Sequence, residues 1–394
     1  MNILFVNDIP FNPIGGGIER VTDILTKELV KRGYTIYYLC DKLPDSKLYL
    51  LNYAYPAKLF QLPHFGMFDN DENISYYKQL QDELKIDVVV NQRGSFNFMN
   101  CVLDCCNVKT ISVVHTIIDG SIICYFNSRQ ETLQWKIKNW LKRCIYPIYM
   151  HLKKKQLYRD LLNHYLELVN SDSTIVVLSK SDANKLCSFI KPIKPTVKVI
   201  GNPCDTPNKT FDYSKKRKII LFVGRLCSAE KQPLRLVKIW NKLHKLYPDW
   251  KLVFVGDGAA RFQMERYIKK HKISRVVFEG TQTEVDKYYK NASFVCLTSN
   301  YEGWGMALTE GMRYGCIPFT FNNYGAASDI IDDGINGCLI PAYNLKEYAS
   351  RLSELMSDDD MRSKMSMAAI EKVKIFSVKN VANKWDKLFL SLLK

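Results

Sequence analysis

Two carboxylates, Glu302 and Glu310, bracket a glycine-rich stretch that reads Tyr301-Glu302-Gly303-Trp304-Gly305-Met306-Ala307-Leu308-Thr309-Glu310-Gly311-Met312. An apolar run, Ser293–Thr298, leads into it, and a helical pattern from Met306 to Tyr314 leads out. Glycines at the turn let backbone N–H groups and the positive end of the helix face an anion. Glu310, one turn into the helix, is suited to accept hydrogen bonds from a ribose diol. Glu302, before the loop, is suited to accept them from sugar hydroxyls. The plainer alternative makes Glu302 a cap and Glu310 a surface acid, and it leaves the glycines unexplained.

Two cations occupy comparable places. Gly224-Arg225 follows the apolar run Lys218–Val223, and Lys231 stands at the next helix start. Together they are suited to hold a diphosphate and to neutralise the charge that builds on it as a leaving group. Each alone reads better as a solvated surface cation, and it is their joint placement that favours the phosphate. In the first half, His115 closes the apolar run Ile111-Ser112-Val113-Val114, where a structural imidazole is the competing reading. Gly15-Gly16-Gly17 follows the first strand and opens a helix, so its backbone can approach a phosphate or sugar. It is not the dinucleotide fingerprint, because Arg20 stands where the third glycine belongs, and a tight strand-to-helix turn is the alternative.

The elements needed to position these groups follow from periodicity. Asn2–Asn7, Thr35–Cys40, Asp87–Asn91, Thr110–His115 and Ser173–Ser179 read as short buried strands, with helical patterns such as Ile18–Arg32 between them. A second series has strands at Lys218–Val223, Lys251–Val255, Val276–Glu279, Ser293–Thr298 and Cys316–Phe321. Its helices are Pro233–Tyr247, Ala259–His271 and Met306–Tyr314. Doubly buried strands alternating with helices imply parallel sheets covered on both faces, whose ligands bind beyond the carboxyl ends of the strands. The expected architecture is α/β: two facing Rossmann-like domains, 1–200 and 205–377. Pro192, Pro195, Pro203 and Pro207 mark the linker between them. A final helix at 378–394 is expected to pack back across that linker.

Composition narrows the class. A net charge of +16, spread over both halves, asks for an anionic partner. No apolar run reaches the ~18 residues of a membrane-spanning helix, and the apolar start at Met1–Asn7 meets Asp8 and Pro10 at once, as a buried strand does. Twelve cysteines without a C-x-x-C pair or framework spacing read as reduced thiols of a cytoplasmic protein.

The motifs EGWGMALTEGM, FVGRL with its following Lys231, VFVGDG and DIIDDGINGCLIP, preceded in order by GGGIERV, SVVH, VVLSKSD and VIGNPCD, resemble retaining glycosyltransferase family 4, with the GT-B fold and an E-x7-E signature. The similarity covers nearly the whole chain. It implies that Arg225 and Lys231 bind the donor diphosphate beside Gly224, that Glu310 holds the ribose, and that Glu302 contacts the donor sugar. Backbone from Gly303 through Trp304, Gly305 and Met306 to Ala307 would hold sugar hydroxyls and phosphate. His115 would lie beside the donor sugar, and Gly16 and Gly17 near the phosphate and acceptor. It further implies no metal or other cofactor, and retention by front-face displacement in which the leaving phosphate deprotonates the acceptor. UDP is the expected nucleotide, and galactose, glucose or an N-acetylhexosamine the expected sugar.

Residues 116–170 depart from the resemblance. From Thr132 to Arg159 the chain holds eight Lys or Arg and no acid, Lys153, Lys154 and Lys155 among them, interleaved with aromatics that include Trp135 and Trp140. Such a basic helical insertion, about 120–170, suits an anionic membrane surface and a lipid-linked or glycan acceptor, placing the enzyme at the cytoplasmic face of the cell membrane. A solvated basic face is the competing reading. Nucleic acid is not expected, since no recognised binding module accompanies the charge. A GT-B sugar-nucleotide epimerase and a non-catalytic glycan-binding protein are the alternative functions.

Overall fold

The computed structural model describes residues 1–9, 16–41, 57–66, 70–94, 108–120, 122, 140–170, 173–191, 193, 195–205, 213 and 216–393, with the side chains of 140–148, 150 and 170 left aside. Contacts divide them into two units. One comprises Met1–Asp119, Met150–Pro203 and Val378–Lys394; the other comprises Gly120–Tyr149 and Cys204–Ser377.

The first unit is built on a seven-stranded parallel sheet. In chain order its strands are β1 (Asn2–Asn7), β2 (Thr35–Cys40), β3 (Lys58–Gln61), β4 (Val88–Asn91), β5 (Lys109–Val114), β6 (Thr174–Val177) and β7 (Val197–Val199). Across the sheet they lie β3-β2-β1-β4-β5-β6-β7, so the order reverses between β1 and β4. Alternation along β1 sends Ile3 and Phe5 to one face and Leu4 and Val6 to the other. The first face is covered by helix α1 (Gly17–Lys31), through Leu25 and Leu29, and by the last helix of the chain, Val378–Leu392, through Trp385, Leu388 and Phe389. Arg32 ties the two helices by donating to Asn383 Oδ1 at 2.8 Å and to the Lys379 carbonyl at 3.1 Å, and by an ion pair with Asp386. The C-terminal helix thus belongs to the unit that starts the chain.

The second unit holds a six-stranded parallel sheet of β8 (Arg217–Val223), β9 (Lys251–Val255), β10 (Val276–Phe278), β11 (Ala292–Cys296), β12 (Ile317–Phe321) and β13 (Cys338–Ile340). Their spatial order is β10-β9-β8-β11-β12-β13, and here the reversal falls between β8 and β11. Large aromatics fill its core: Trp250 stacks on Phe294 at 5.2 Å, and Phe294 meets Phe319 edge-on at 5.5 Å. The central strands coincide with the expected ones. Three strands were not expected. Lys58–Gln61 and Val197–Val199 lie on sheet edges, and Val197–Val199 sits inside the proline-bracketed stretch read as linker; Cys338–Ile340 is only three residues long. The helix entered at Met306 ends at Met312, earlier than its pattern implied.

Among the described residues no helix is long and apolar enough to cross a membrane. The seven cysteines whose side chains are described form no disulfide, and Cys40, Cys204, Cys296, Cys316 and Cys338 are buried.

Candidate active site

A parallel sheet leaves a crevice beyond its carboxyl edge where the strand order reverses, because the loops on either side run to opposite faces. In the second unit that place lies beyond β8 and β11. β8 releases Gly224-Arg225, and β11 releases Thr298 to Glu302. The topology therefore brings the two predicted cations and the first predicted carboxylate to one sheet edge.

Neither cation stands alone. Lys231 donates from Nζ to both carboxylate oxygens of Glu302 at 2.7 Å, and Ser299 Oγ donates to the same carboxylate at 2.7 Å. Glu302 is buried, and Lys231 keeps only part of its side chain in contact with solvent. Arg225 is largely exposed and pairs with Glu230 at 2.6 Å. Glu310, also buried, accepts a hydrogen bond from Tyr289 Oη at 2.9 Å. Spacing gave no sign of Glu230, Ser299 or Tyr289 as partners, since those pairings are made by the fold.

The loop between the two acids is shaped by its glycines. Gly305 has φ of 91° and precedes the helix Met306–Met312 without a side-chain cap. A Cβ there would lie 3.0 Å from the Tyr324 hydroxyl, so the left-handed conformation and the close approach both favour glycine. Gly303 is half-buried, while Trp304 turns inward and packs edge-on against Phe376 at 5.0 Å. Trp304 therefore offers its backbone, and not its ring, to the crevice. Met306 and Ala307 are half-buried at the helix start.

The Arg225 backbone rests on the loop after β9. Leu226 N–H donates to the Asp257 carbonyl at 2.9 Å, and Ala260 N–H donates to the Leu226 carbonyl at 2.8 Å. Gly256 and Gly258 make this contact possible: a Cβ on either would come within 2.1 Å of Gly224 O or 2.6 Å of Leu226 O.

In the first unit the corresponding edge carries Asn7 and Asp8 after β1, Gln92 and Arg93 after β4, and His115 after β5. Arg93 donates from Nε to Asn7 Oδ1 at 3.1 Å and to Asp8 Oδ1 at 2.7 Å. Buried Glu19, in the first turn of α1, accepts from Asn7 Nδ2 at 3.2 Å. Gly16 is extended, and a Cβ on it would press on the Glu19 carboxylate, while nothing crowds Gly17. Gly15 lies outside the described residues.

His115 is hydrogen-bonded through Nε2 to Gln92 Oε1. Burial, with the Arg93 cation as a second cause, pushes its imidazole down to about 3. His115 is therefore neutral at physiological pH, able to make hydrogen bonds but carrying no charge. An unfolded histidine titrates near 6.5, so between that value and about 3 the unfolded chain binds a proton that the folded chain does not. The stability tied to this site is complete above ~6.5 and is lost as pH falls toward 3. Urea midpoints between pH 7.5 and 5 should fall less steeply in His115→Asn than in the natural chain. Equal slopes would contradict the neutral, half-buried imidazole.

Of the basic stretch, the part from Trp140 to Arg159 lies on one helix, Trp140–Asn170, which is helical through Pro147, and residues 132–139 lie outside the described residues. Lys154, Lys155, Arg159 and Leu152 are exposed, and Lys153 is half-buried. Trp135 lies outside the described residues, as does the side chain of Trp140.

With this geometry in view, comparisons with known proteins decide the class. The model described as Glycosyl transferases group 1 matches residues 206–372, and the model described as Glycosyltransferase Family 4 matches residues 15–207. The chain has the GT-B fold, and its two halves match these glycosyltransferase models in turn over residues 15–372. Over 215 residues it is 30% identical to the GalNAc-alpha-(1->4)-GalNAc-alpha-(1->3)-diNAcBac-PP-undecaprenol alpha-1,4-N-acetyl-D-galactosaminyltransferase of Campylobacter jejuni, covering 54% of this chain and 58% of that one. It is 28% identical to the amylovoran biosynthesis glycosyltransferase AmsD of Erwinia amylovora, covering 54% and 60%. The matches thus span about three-fifths of each relative's length. The fold of this GT-B chain is shared by Anabaena Alr3699/HepE, solved in complex with UDP, at a TM-score of 0.72 and 16% identity over 99% of this chain and 100% of that one.

Proposed function

We propose that the chain is a retaining, metal-independent hexosyltransferase that moves a sugar from a nucleotide donor, UDP-linked, to a membrane-associated lipid or glycan acceptor. The observation that carries this reading is the arrangement beyond β8 and β11. A half-buried ammonium paired with the buried Glu302 and an exposed guanidinium lie at one sheet edge, and a second buried carboxylate, Glu310, stands on the helix that leads away from it. That set matches the two ends of a nucleotide sugar, anionic in the middle and rich in hydroxyls on either side.

The chemistry follows from charge. As the bond from the anomeric carbon to the diphosphate breaks, its electron pair passes to a phosphate oxygen. Lys231 and Arg225 stabilise that charge, the half-buried Lys231 the more strongly because less water competes for its ammonium. The acceptor hydroxyl attacks from the side the phosphate leaves, and its proton passes to the departing oxygen. Glu310 and Glu302 accept hydrogen bonds from the ribose and sugar hydroxyls. The donor diphosphate competes with Glu230 for Arg225 and with Glu302 for Lys231, so both cations are held in place before it arrives. The UDP complex of the Anabaena structure supports the choice of nucleotide. A nucleotide-release assay over a panel of nucleotide sugars tests it: UDP-hexoses are expected to turn over with EDTA present, and turnover only with another nucleotide class would overturn the choice of UDP.

The acceptor side rests on the exposed cations of the Trp140–Asn170 helix and on the undecaprenol-linked acceptor in the name of the Campylobacter relative. We place the enzyme at the cytoplasmic face of the cell membrane. Each Lys or Arg near an anionic surface contributes about 1 kcal/mol, screened within a Debye length. Changing Lys153, Lys154 and Lys155 to Glu is therefore expected to release the protein from phosphatidylglycerol vesicles at low salt, with donor hydrolysis retained. Sedimentation with vesicles that is unchanged by the substitution would contradict membrane docking by this face.

A further inference from the structure

Lys231 and Glu302 come from different loops, yet one residue outside the pair fixes the backbone beneath both. Asn300 is buried two residues before Glu302. Its N–H donates to the Glu230 carbonyl at 2.7 Å, and its side-chain Nδ2 donates to the Ala229 carbonyl at 2.8 Å. Thr298 Oγ donates to the Gln232 carbonyl at 3.0 Å. The carbonyls on both sides of Lys231 are thus bound by the segment that leads to Glu302.

That segment is braced in turn. The Asn300 carbonyl accepts from Asn323 Nδ2 at 2.7 Å and from Tyr343 Oη at 3.2 Å. The guanidinium of Arg235 lies 4.5 Å from the centre of the Tyr343 ring and donates to the Thr298 carbonyl at 3.0 Å. Gln232, directly after Lys231, is left-handed with φ of 48°, a conformation that a side-chain-bearing residue keeps only when its surroundings impose it. A lysine stem has four rotatable bonds, so the ammonium is placed accurately only if its backbone is.

We infer that Asn300 is a positioning residue that interlocks the Lys231 loop with the Glu302 loop and thereby sets where the ammonium meets the leaving diphosphate. This rests on the proposed donor site. Asn300 touches no reacting atom in this scheme. It acts through Lys231, so removing its amide should slow turnover without weakening donor binding to the same extent.

The test is a double-mutant cycle on the full chain, with UDP-glucose and UDP-N-acetylglucosamine as donors and UDP release as readout. Asn300→Ala is expected to lower kcat about 10- to 100-fold, the range for a catalytic group displaced by a fraction of an ångström to one ångström. Donor KM should move less than about 3-fold, because kcat falls while binding persists when only a transition-state contact is lost. In a Lys231→Ala background the same substitution should cost less than about 3-fold, since residues acting through one another are not additive. Asn300→Asp keeps the volume and the backbone N–H but loses the Nδ2 donor, so it should match Asn300→Ala in kcat and remain testable if the alanine variant folds poorly. Wild-type kcat in Asn300→Asp, or an undiminished loss in the Lys231→Ala background, would overturn the interlock while leaving the donor site standing. Normal turnover in Lys231→Ala alone would overturn the donor-site reading, and the interlock with it.

Discussion

Replacing Lys231 by alanine is expected to lower turnover of the donor roughly 100- to 1,000-fold, the usual cost of removing one fixed stabiliser of developing negative charge. Arg225→Ala should act in the same direction. The Lys231 effect should be the larger, because its ammonium is half-buried and held at 2.7 Å from both oxygens of Glu302, whereas Arg225 is mostly in solvent. Lys231→Arg should not rescue, since a planar fork cannot occupy the place of a point charge at that distance. A loss of activity could also come from the fold, because Lys231→Ala leaves the buried Glu302 carboxylate held by the Ser299 hydroxyl without its cation. Breaking a buried pair costs about 3–5 kcal/mol, and this half-buried one should cost less. The pair Lys231→Ala with Glu302→Gln separates the two effects. It is expected to recover the urea midpoint and not the turnover, and recovery of both would mean that Lys231 serves stability alone.

Gly256→Ala is expected to damage the site from a distance. The added methyl would sit 2.1 Å from Gly224 O, and φ at Gly256 is 127°, outside the range that L side chains adopt with ease. Backbone strain of this kind costs about 1–3 kcal/mol, and overpacking typically costs another 1–3 kcal/mol. The loop cannot yield freely, because Gly256 N–H donates to the Gly280 carbonyl at 2.7 Å and Gly224 N–H to the Val255 carbonyl at 3.0 Å. Relief has to come from the Gly224–Leu226 backbone, which carries Arg225. The variant should therefore lose stability and, at temperatures where it is folded, about 10-fold or more in kcat. Urea denaturation and steady-state kinetics on one preparation check both, and a wild-type midpoint with wild-type kcat would contradict the packing described.

The inner strands were legible because a doubly buried parallel strand has to be apolar at every position. The bounds of Asn2–Asn7, Thr35–Cys40 and Lys251–Val255 agree with the sequence reading to the residue. Edge strands lack that pressure. Lys58–Gln61 and Val197–Val199 hold only exposed and half-buried positions over four and three residues, too few to stand out from loops. At the candidate site the residue types were readable and the pairings were not. Arg225, Glu302 and Glu310 announce themselves by charge beside glycine, and Lys231 by charge at a helix start. The partnership of Lys231 with Glu302 spans 71 positions, and that of Tyr289 with Glu310 spans 21. The first depends on β11 lying beside β8, a topological fact that no local pattern carries, and the second on the helices before and after β11 packing together. The same holds for Asn300, an ordinary loop residue by composition whose importance lies in the carbonyls it reaches.

The central claim is that the crevice beyond β8 and β11 transfers a sugar from a nucleotide donor. Proton NMR of UDP-glucose, UDP-galactose and UDP-N-acetylhexosamines incubated with the protein, membrane lipid extract and excess EDTA follows donor, product and anomeric configuration together. The account predicts that at least one donor is consumed, that UDP accumulates, and that the new anomeric proton shows the small coupling of an α linkage, with all three signals lost in Lys231→Ala. A β product, turnover that requires added Mg²⁺ or Mn²⁺, or equal consumption by Lys231→Ala would contradict it.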